Sequence, residues 1–201
     1  MPSSRLRSAA VAACACAVVV LSGATPAAAA QSPAPAAAVA PGLAPLTDLF
    51  AERLLLGDQV AAAKYGTDKP IDDPAREKQV LDDVAARAVG LGLDPDAVTA
   101  VFRDQIEANK LVQRGMYQRW DAHPQERPTH RPDLTTEIRP ALDRITTQLL
   151  TALQDTEALR ARPSCAPRLT VAAARSAYGH QLDLLHLAGL GRALPSVCDN
   201  Q

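Results

Sequence analysis

Charged and amide side chains occur in this chain at positions where helical periodicity calls for apolar residues. A polar group on the inward face of a helix needs a partner, which either the protein or a ligand must supply. Two of these residues are cations, and cations favour an anionic ligand. The sequence therefore predicts a buried polar site for an anionic small molecule. The residues that define this site are Arg53, Lys64, Glu77, Asn109 and Gln113.

The two cations lie on one face of the first predicted helix, residues 46–65. Steps of three or four residues lead from Phe50 to Arg53 and on to Lys64, and such steps follow one helix face. The two residues are about 20° apart around the axis and about 16 Å apart along it, so both side chains could close on one molecule. The competing interpretation is an ordinary core helix whose long cations reach solvent.

The third predicted helix, residues 95–120, repeats this anomaly with two amides. Asn109 and Gln113 are one turn apart within the stripe that also contains Phe102 and Trp120. A buried amide without a ligand must find partners in the protein, because each unsatisfied group costs about 1 to 3 kcal/mol.

Two carboxylates belong to the second predicted helix, which begins at Pro74 and ends at a glycine near residue 90. Glu77 lies one turn before Leu81 on the face that becomes apolar, and Asp73 lies one turn before Glu77. A carboxylate at a helix start is as typical of a cap as of a binding site. Both interpretations stay open for Asp73.

Composition predicts an all-α domain. Aromatic residues make up only 3% of the chain, alanine and leucine are abundant, and no run of alternating β-branched residues occurs. Helical patterns continue over residues 133–159, after a proline-rich connection, and over residues 169–187, with Gly189 and Gly191 marking the end of the last one. A formal net charge of −1 and scattered Lys and Arg residues give no electrostatic footprint for nucleic acid.

Residues 1–30 have the pattern of a cleavable signal peptide. Arg5 and Arg7 precede an apolar run over residues 9–21, and alanines at 28–30 supply small residues for a signal peptidase. The run is shorter than the ~20 residues of a spanning helix, so we expect no membrane anchor after cleavage. The mature chain would begin near Gln31 and be secreted or periplasmic.

Export would leave two of the four cysteines, Cys165 and Cys198. An oxidising compartment favours a disulfide between them. Residues 31–45 contain mostly alanine and proline and predict a flexible or polyproline-like linker. Residues 46–201 are then one domain's worth of chain.

The polar residues, taken in order, resemble the site of the all-helical chorismate mutases, in the secreted class that carries a disulfide. Lys64 follows Arg53 by eleven residues, and Gln113 follows Asn109 by four. The resemblance extends from Leu46 to Cys198. The matching residues are Arg53, Lys64, Asp73, Arg76, Glu77, Asn109, Gln113 and Arg139, with the cysteine pair Cys165 and Cys198.

This resemblance implies a six-helix domain that encloses its own site within one chain and pairs as a homodimer. It also implies an isomerase that rearranges chorismate to prephenate, a pericyclic reaction that requires no cofactor and no metal. Chorismate carries two carboxylates, and the reaction breaks an ether C–O bond while a C–C bond forms. Catalysis then depends on holding the reactive conformer and on stabilising charge at the ether oxygen.

The resemblance also implies a role for each residue. The carboxylates of the substrate would bind to Arg53 and Arg139, with Arg76 adding positive potential. The ether oxygen would accept hydrogen bonds from Lys64 and Gln113. The ring hydroxyl would be bound by Glu77, with Asp73 and Asn109 supporting the ligand or Lys64. Pro140 follows Arg139 directly, so a helix must start or kink there.

Two other functions are compatible with parts of this pattern. An exported helical module could bind an acidic metabolite or peptide without converting it, although carboxylate binding needs only the arginines and not the Lys64 and Gln113 pair. A metal enzyme would depend on the four histidines, whose spacing does not put them on a shared helix face. These histidines are His123, His130, His180 and His186.

Overall fold

The computed structural model describes residues 42–198, so the predicted signal peptide and most of the predicted linker lie outside the described part. Within this part the fold consists of helices and contains no strand, which confirms the all-α prediction. None of these helices combines the length and the hydropathy that a membrane span requires. The six α-helices are α1 (Ala44–Lys64), α2 (Pro74–Gly90), α3 (Pro95–Ala122), α4 (Arg139–Arg160), α5 (Cys165–Gly179) and α6 (Leu184–Arg192).

The starts of α2 and α3 follow from the sequence. Asp73 caps α2 by accepting a hydrogen bond from the Arg76 backbone N–H at 3.0 Å, and Asp94 caps α3 in the same way. A proline follows each cap, at a position where its missing N–H costs no helical hydrogen bond. Both predicted starts are confirmed. Helix α1 begins at Ala44, two residues before the predicted start of the domain.

The connection to α4 contains a π-helical turn, Leu134–Ile138, that the sequence pattern does not predict. Asp133 caps this turn by accepting hydrogen bonds from the backbone N–H groups of Thr135 and Thr136, both at 2.7 Å. The predicted helix over residues 133–159 is therefore two elements. Pro140 lies in the first turn of α4, directly after the π-helical turn, where its missing N–H costs α4 no internal hydrogen bond.

The prediction of one helix over residues 169–187 is wrong. Helix α5 ends at Gly179 and α6 begins at Leu184, with Gln181 between them at a positive φ of 53°. Asp183 caps α6 by accepting a hydrogen bond from the His186 backbone N–H at 2.9 Å.

Gly189 and Gly191, which we expected to end this segment, lie inside α6. A Cβ at Gly189 would lie 3.0 Å from side-chain atoms of both Leu54 and Val112. The glycine therefore allows α6 to approach α1 and α3 closely.

Helix α1 contacts α3, α4, α5 and α6, and α3 also contacts α2 and α6. The largest fully buried apolar side chains include Leu46, Phe50, Leu54 and Phe102. Cys165 and Cys198 form the expected disulfide, which ties the start of α5 to the end of the described chain. This pairing is confirmed.

Candidate active site

A cavity of about 860 Å³ lies between the first four helices, and the loop between α1 and α2 lines part of it. The eight residues that the sequence predicts for the substrate site all line this cavity. They come from four helices of a single chain and from the cap of α2, so one chain supplies all eight. These residues are Arg53, Lys64, Asp73, Arg76, Glu77, Asn109, Gln113 and Arg139.

Arg53 is a buried cation with unpaired nitrogens. Its side chain belongs to a residue that is only 7% exposed, and neither Nε nor Nη1 has a hydrogen-bond partner among the described residues. Burial lowers the pKa of Arg53 to about 10, although the Asp143 carboxylate acts in the opposite direction. The guanidinium also lies 6.0 Å from the centre of the Phe102 ring. Since Arg53 does not reach solvent, the interpretation of an ordinary core helix is wrong for this residue.

The two amides form a short hydrogen-bonded chain that begins at the backbone of Arg53. Asn109 Nδ2 donates to the Arg53 carbonyl oxygen at 3.1 Å, so its Oδ1 is free to accept from Gln113 Nε2 at 2.7 Å. This contact uses one of the two hydrogens on Gln113 Nε2. The other acceptor of the pair, Gln113 Oε1, is buried without a partner among the described residues.

Gly57 makes room for this chain of amides. A Cβ at this position would lie 3.0 Å from Asn109 Nδ2 and 3.2 Å from a methyl group of Val112. Gly57 therefore occurs in the middle of a helix, where glycine is usually unfavourable, because α1 and α3 approach each other there.

Lys64 is half-buried at the end of α1. Its Nζ donates to the Pro70 carbonyl oxygen at 2.8 Å, which leaves two of its three N–H donors for other partners. Burial lowers the pKa of Lys64, and the nearby carboxylates of Asp73, Asp72 and Glu77 oppose this effect.

Asp73 and Glu77 form a reciprocal cap at the start of α2. Asp73 accepts from the Arg76 backbone N–H, and the Asp73 backbone N–H donates to Glu77 Oε1 at 3.3 Å, as in a capping box. Asp73 is therefore a helix cap that also lines the cavity. The Arg76 guanidinium donates to Gln79 Oε1 at 3.3 Å.

Arg139 is the first residue of α4, and it lines the cavity from an exposed position. The π-helical turn and the proline after Arg139 fix where its helix starts. The sequence alone left the direction of this side chain open, and the structure directs it to the same cavity as Arg53.

Lys110 also lines the cavity and was missed by the sequence analysis. It is 8% exposed, and its Nζ lies 2.6 Å from Glu107, 3.2 Å from Asp72 and 3.3 Å from Glu77. Glu107 lies three residues before Lys110, and this spacing is typical of an ion pair on the solvated face of a helix. The spacing therefore predicts that Lys110 is exposed. The signal was present, because steps of four residues from Phe102 lead to Lys110.

The histidines lie outside the cavity. Among the described residues, no three His, Cys, Asp or Glu side chains are grouped as a metal site would require. His186 is buried between Asp58 and Asp183, at 3.1 Å and 2.6 Å. These two hydrogen-bonded contacts raise its pKa to about 9 against the opposing effect of burial. The residue joins α6 to α1, and nothing in this arrangement supports a metal centre.

Comparisons with known proteins show which family has this sequence and fold. A family model described as chorismate mutase type II matches residues 44–114. The chain is 35% identical over 156 residues to a secreted chorismate mutase of Mycobacterium tuberculosis, and the match covers 78% of each sequence.

Two solved structures have the same fold over nearly their whole length. A chorismate mutase from Burkholderia phymatum has 35% sequence identity and a TM-score of 0.75, covering 79% of this chain and 96% of that one. A chorismate mutase from Burkholderia thailandensis has 39% identity and a TM-score of 0.74, covering 78% and 98%. By sequence and by fold, this chain belongs to the all-helical chorismate mutase family.

Proposed function

We propose that the cavity between α1, α2, α3 and α4 converts chorismate to prephenate by positioning and electrostatics alone. The reaction moves no proton between enzyme and substrate, so it needs neither a general base nor a nucleophile. The observation that carries the proposal is that Arg53, Lys64 and Gln113 converge on one cavity. This set combines carboxylate binding with hydrogen-bond donors for an ether oxygen.

The two substrate carboxylates bind to Arg53 and Arg139. Arg53 is preorganised for this role, because its Nε and Nη1 are buried and have no hydrogen-bond partner among the described residues. A carboxylate would satisfy both nitrogens through a bidentate pair, a geometry that arginine supplies better than lysine. Binding both carboxylates selects the folded substrate conformer in which the reacting carbons approach each other.

The ether oxygen accepts hydrogen bonds from Lys64 and Gln113. Negative charge develops on this oxygen as the C–O bond breaks, so these donors stabilise the transition state more than the substrate, as catalysis requires. Two N–H groups of Lys64 remain free beside its bond to Pro70. The second hydrogen of Gln113 Nε2 is available because Asn109 accepts only the first.

The remaining polar groups orient the ring. The Glu77 carboxylate accepts the hydrogen bond of the ring hydroxyl, while Arg76 adds positive potential near the substrate carboxylates. Asn109 acts through Gln113, and Asp73 acts by holding the start of α2 and by supporting the charge of Lys64. The resemblance to the family implies these roles, and the position of each side chain on the cavity supports them.

The alternative function is an exported module that binds an acidic metabolite without converting it. Carboxylate binding alone would not need the ether-oxygen donors, so the Lys64 and Gln113 pair favours the enzyme. A turnover assay separates the two functions: the purified, oxidised protein is mixed with chorismate, and prephenate is identified by NMR. Prephenate formation supports the enzyme, whereas binding of chorismate in calorimetry without prephenate supports the module.

We also propose that the chain is exported. The leader over residues 1–30 would be removed, and the mature chain would begin near Gln31. A linker over residues 31–43, two residues shorter than predicted because α1 begins at Ala44, would precede the domain. The name of the Mycobacterium tuberculosis relative and the disulfide both support this proposal. Intact-mass measurement of the protein recovered outside the cytoplasm tests the cleavage point, and light scattering tests the expected homodimer.

A further inference from the structure

Lys110 has no hydrogen-bond donor left for a ligand, although it lines the cavity. Its ammonium group has three N–H donors, and three carboxylates surround it, those of Glu107, Asp72 and Glu77. Burial opposes the charged form, but the hydrogen bonds to these carboxylates outweigh it and raise the pKa of Lys110 above its usual value. The group is therefore charged at neutral pH and fully occupied by the protein.

The contact with Glu77 is the one that reaches the proposed substrate site. Lys110 Nζ lies 3.3 Å from both carboxylate oxygens of Glu77. One of these oxygens, Oε1, also accepts from the Asp73 backbone N–H. Two donors, one at the cap of α2 and one on α3, thus fix the Glu77 carboxylate, which leaves one lone pair on Oε2 for a hydroxyl group.

The contact with Asp72 holds the loop between α1 and α2. Asp72 is bound through both of its oxygens to Arg114, at 2.7 and 2.8 Å, and lies 3.2 Å from Lys110. The loop contributes Pro70 and Ile71 to the lining of the cavity. Arg114 shares the loop contact with Lys110, but no hydrogen bond or ion pair links Arg114 to Glu77 among the described residues.

We propose that Lys110 is a positioning residue that fixes the Glu77 carboxylate as the acceptor for the substrate's ring hydroxyl. This inference depends on the proposed function, because it assigns a supporting group to the same cavity. Lys110 acts through Glu77 and does not touch the substrate. A merely structural ion pair would stabilise the fold but would not distinguish a substrate with the hydroxyl from one without it.

The test is a double-mutant cycle between Lys110 and Glu77. Lys110→Met keeps the apolar stem and removes the charge. We expect KM for chorismate to rise about 10-fold and kcat to change less than about 3-fold. Binding of the hydroxyl group contributes equally to the ground state and the transition state, so its loss affects KM and not kcat. The double variant Glu77→Gln with Lys110→Met should raise KM about as much as either substitution alone. Additive effects on KM, or a loss confined to kcat, would overturn the proposal.

Two matched controls separate this role from general stabilisation. Arg114→Met removes the other cation that holds Asp72, and it should change KM less than about 2-fold. For a chorismate analogue that lacks the ring hydroxyl, KM should be the same in Lys110→Met and in the wild type. If that variant does not fold, Lys110→Arg, which keeps the charge, should fold and retain the preference for the hydroxyl. An equal KM penalty with both substrates, or a KM rise in Arg114→Met as large as in Lys110→Met, contradicts the proposal.

The same cycle can be measured as dissociation constants of chorismate by calorimetry. Wild-type protein that binds chorismate without forming prephenate would refute the proposed reaction, while the coupling of Lys110 and Glu77 in binding would still support their arrangement. Additive effects in binding would refute the role of Lys110 whatever the outcome for the reaction. A protein that neither binds nor converts chorismate overturns both.

Discussion

Gln113 Nε2 donates to Asn109 Oδ1 at 2.7 Å, and this contact fixes which end of the Gln113 amide is the donor. Asn109 cannot reverse its own amide without losing its bond to the Arg53 carbonyl. The backbone of α1 therefore determines, through two side chains of α3, the orientation of one proposed catalytic group.

A glutamine donates at any pH, so activity should be nearly constant from about pH 5 to pH 8. Gln113→Glu should shift the optimum to acid, because a carboxyl group donates a hydrogen bond only when it is protonated. The measurement is kcat against pH for the wild type and the variant. Gln113→Ala is the control, and its kcat should fall about 100-fold without becoming dependent on acid pH. An unchanged pH profile in Gln113→Glu would refute the role of Gln113.

Lys64 should determine the alkaline limit of activity. The charged amine is the active form, and burial lowers its pKa below the ordinary value of 10.5. As pH rises, the donor is therefore lost earlier than from a solvated lysine, and kcat should decline below pH 10.5. In Lys64→Arg the decline of kcat should disappear, because the new guanidinium at residue 64 keeps its proton. Arg53, whose pKa burial lowers to about 10 in the free protein, is paired with a substrate carboxylate in the complex, which favours its charged form. A decline at the same pH in that variant would assign the titration to another group.

Arg53 should stabilise the bound state and destabilise the free protein. Its buried Nε and Nη1 have no hydrogen-bond partner among residues 42–198, so Arg53→Met should raise the free energy of unfolding by about 1 to 3 kcal/mol while turnover is lost. Thermal unfolding without substrate measures this gain. The control is Arg139→Met at an exposed position, where activity should fall without added stability. A less stable Arg53→Met protein would mean that Arg53 has partners in solution.

The Cys165–Cys198 disulfide closes a span of 33 residues. Replacing both cysteines with serine should lower the free energy of unfolding by about 3 to 4 kcal/mol, or about 10 °C in Tm for a domain of this size. Neither cysteine lines the cavity, so kcat at 25 °C should stay within about 2-fold of wild type. Unchanged Tm would indicate that the C-terminal segment is held by packing alone.

The elements that the sequence predicted well are those with local signals. Asp73 and Asp94 cap α2 and α3, and each is followed by a proline. These two residues are enough to predict where each helix starts. The helical spacing of Arg53 and Lys64 predicted a shared cavity because α1 runs without interruption between them.

The features that the sequence did not predict depend on tertiary contacts. The break between α5 and α6 passes through Gln181 at positive φ, a conformation that glutamine does not signal. Gly189 resembled the end of a helix, whereas it lies inside α6 and leaves room for the Leu54 side chain. Lys110 resembled a surface residue, because its partners Asp72 and Glu77 come from another part of the chain.

If Lys64 stabilises the transition state of chorismate rearrangement, purified Lys64→Met protein should consume chorismate far more slowly, which the loss of chorismate absorbance measures. Lys78→Met is the matched control, since Lys78 is exposed on α2, pairs with Asp82 and lies outside the cavity. We predict that kcat falls about 100-fold or more in Lys64→Met and stays within 2-fold in Lys78→Met, with both proteins folded. Equal kcat in wild type and Lys64→Met would show that Lys64 does not stabilise the transition state.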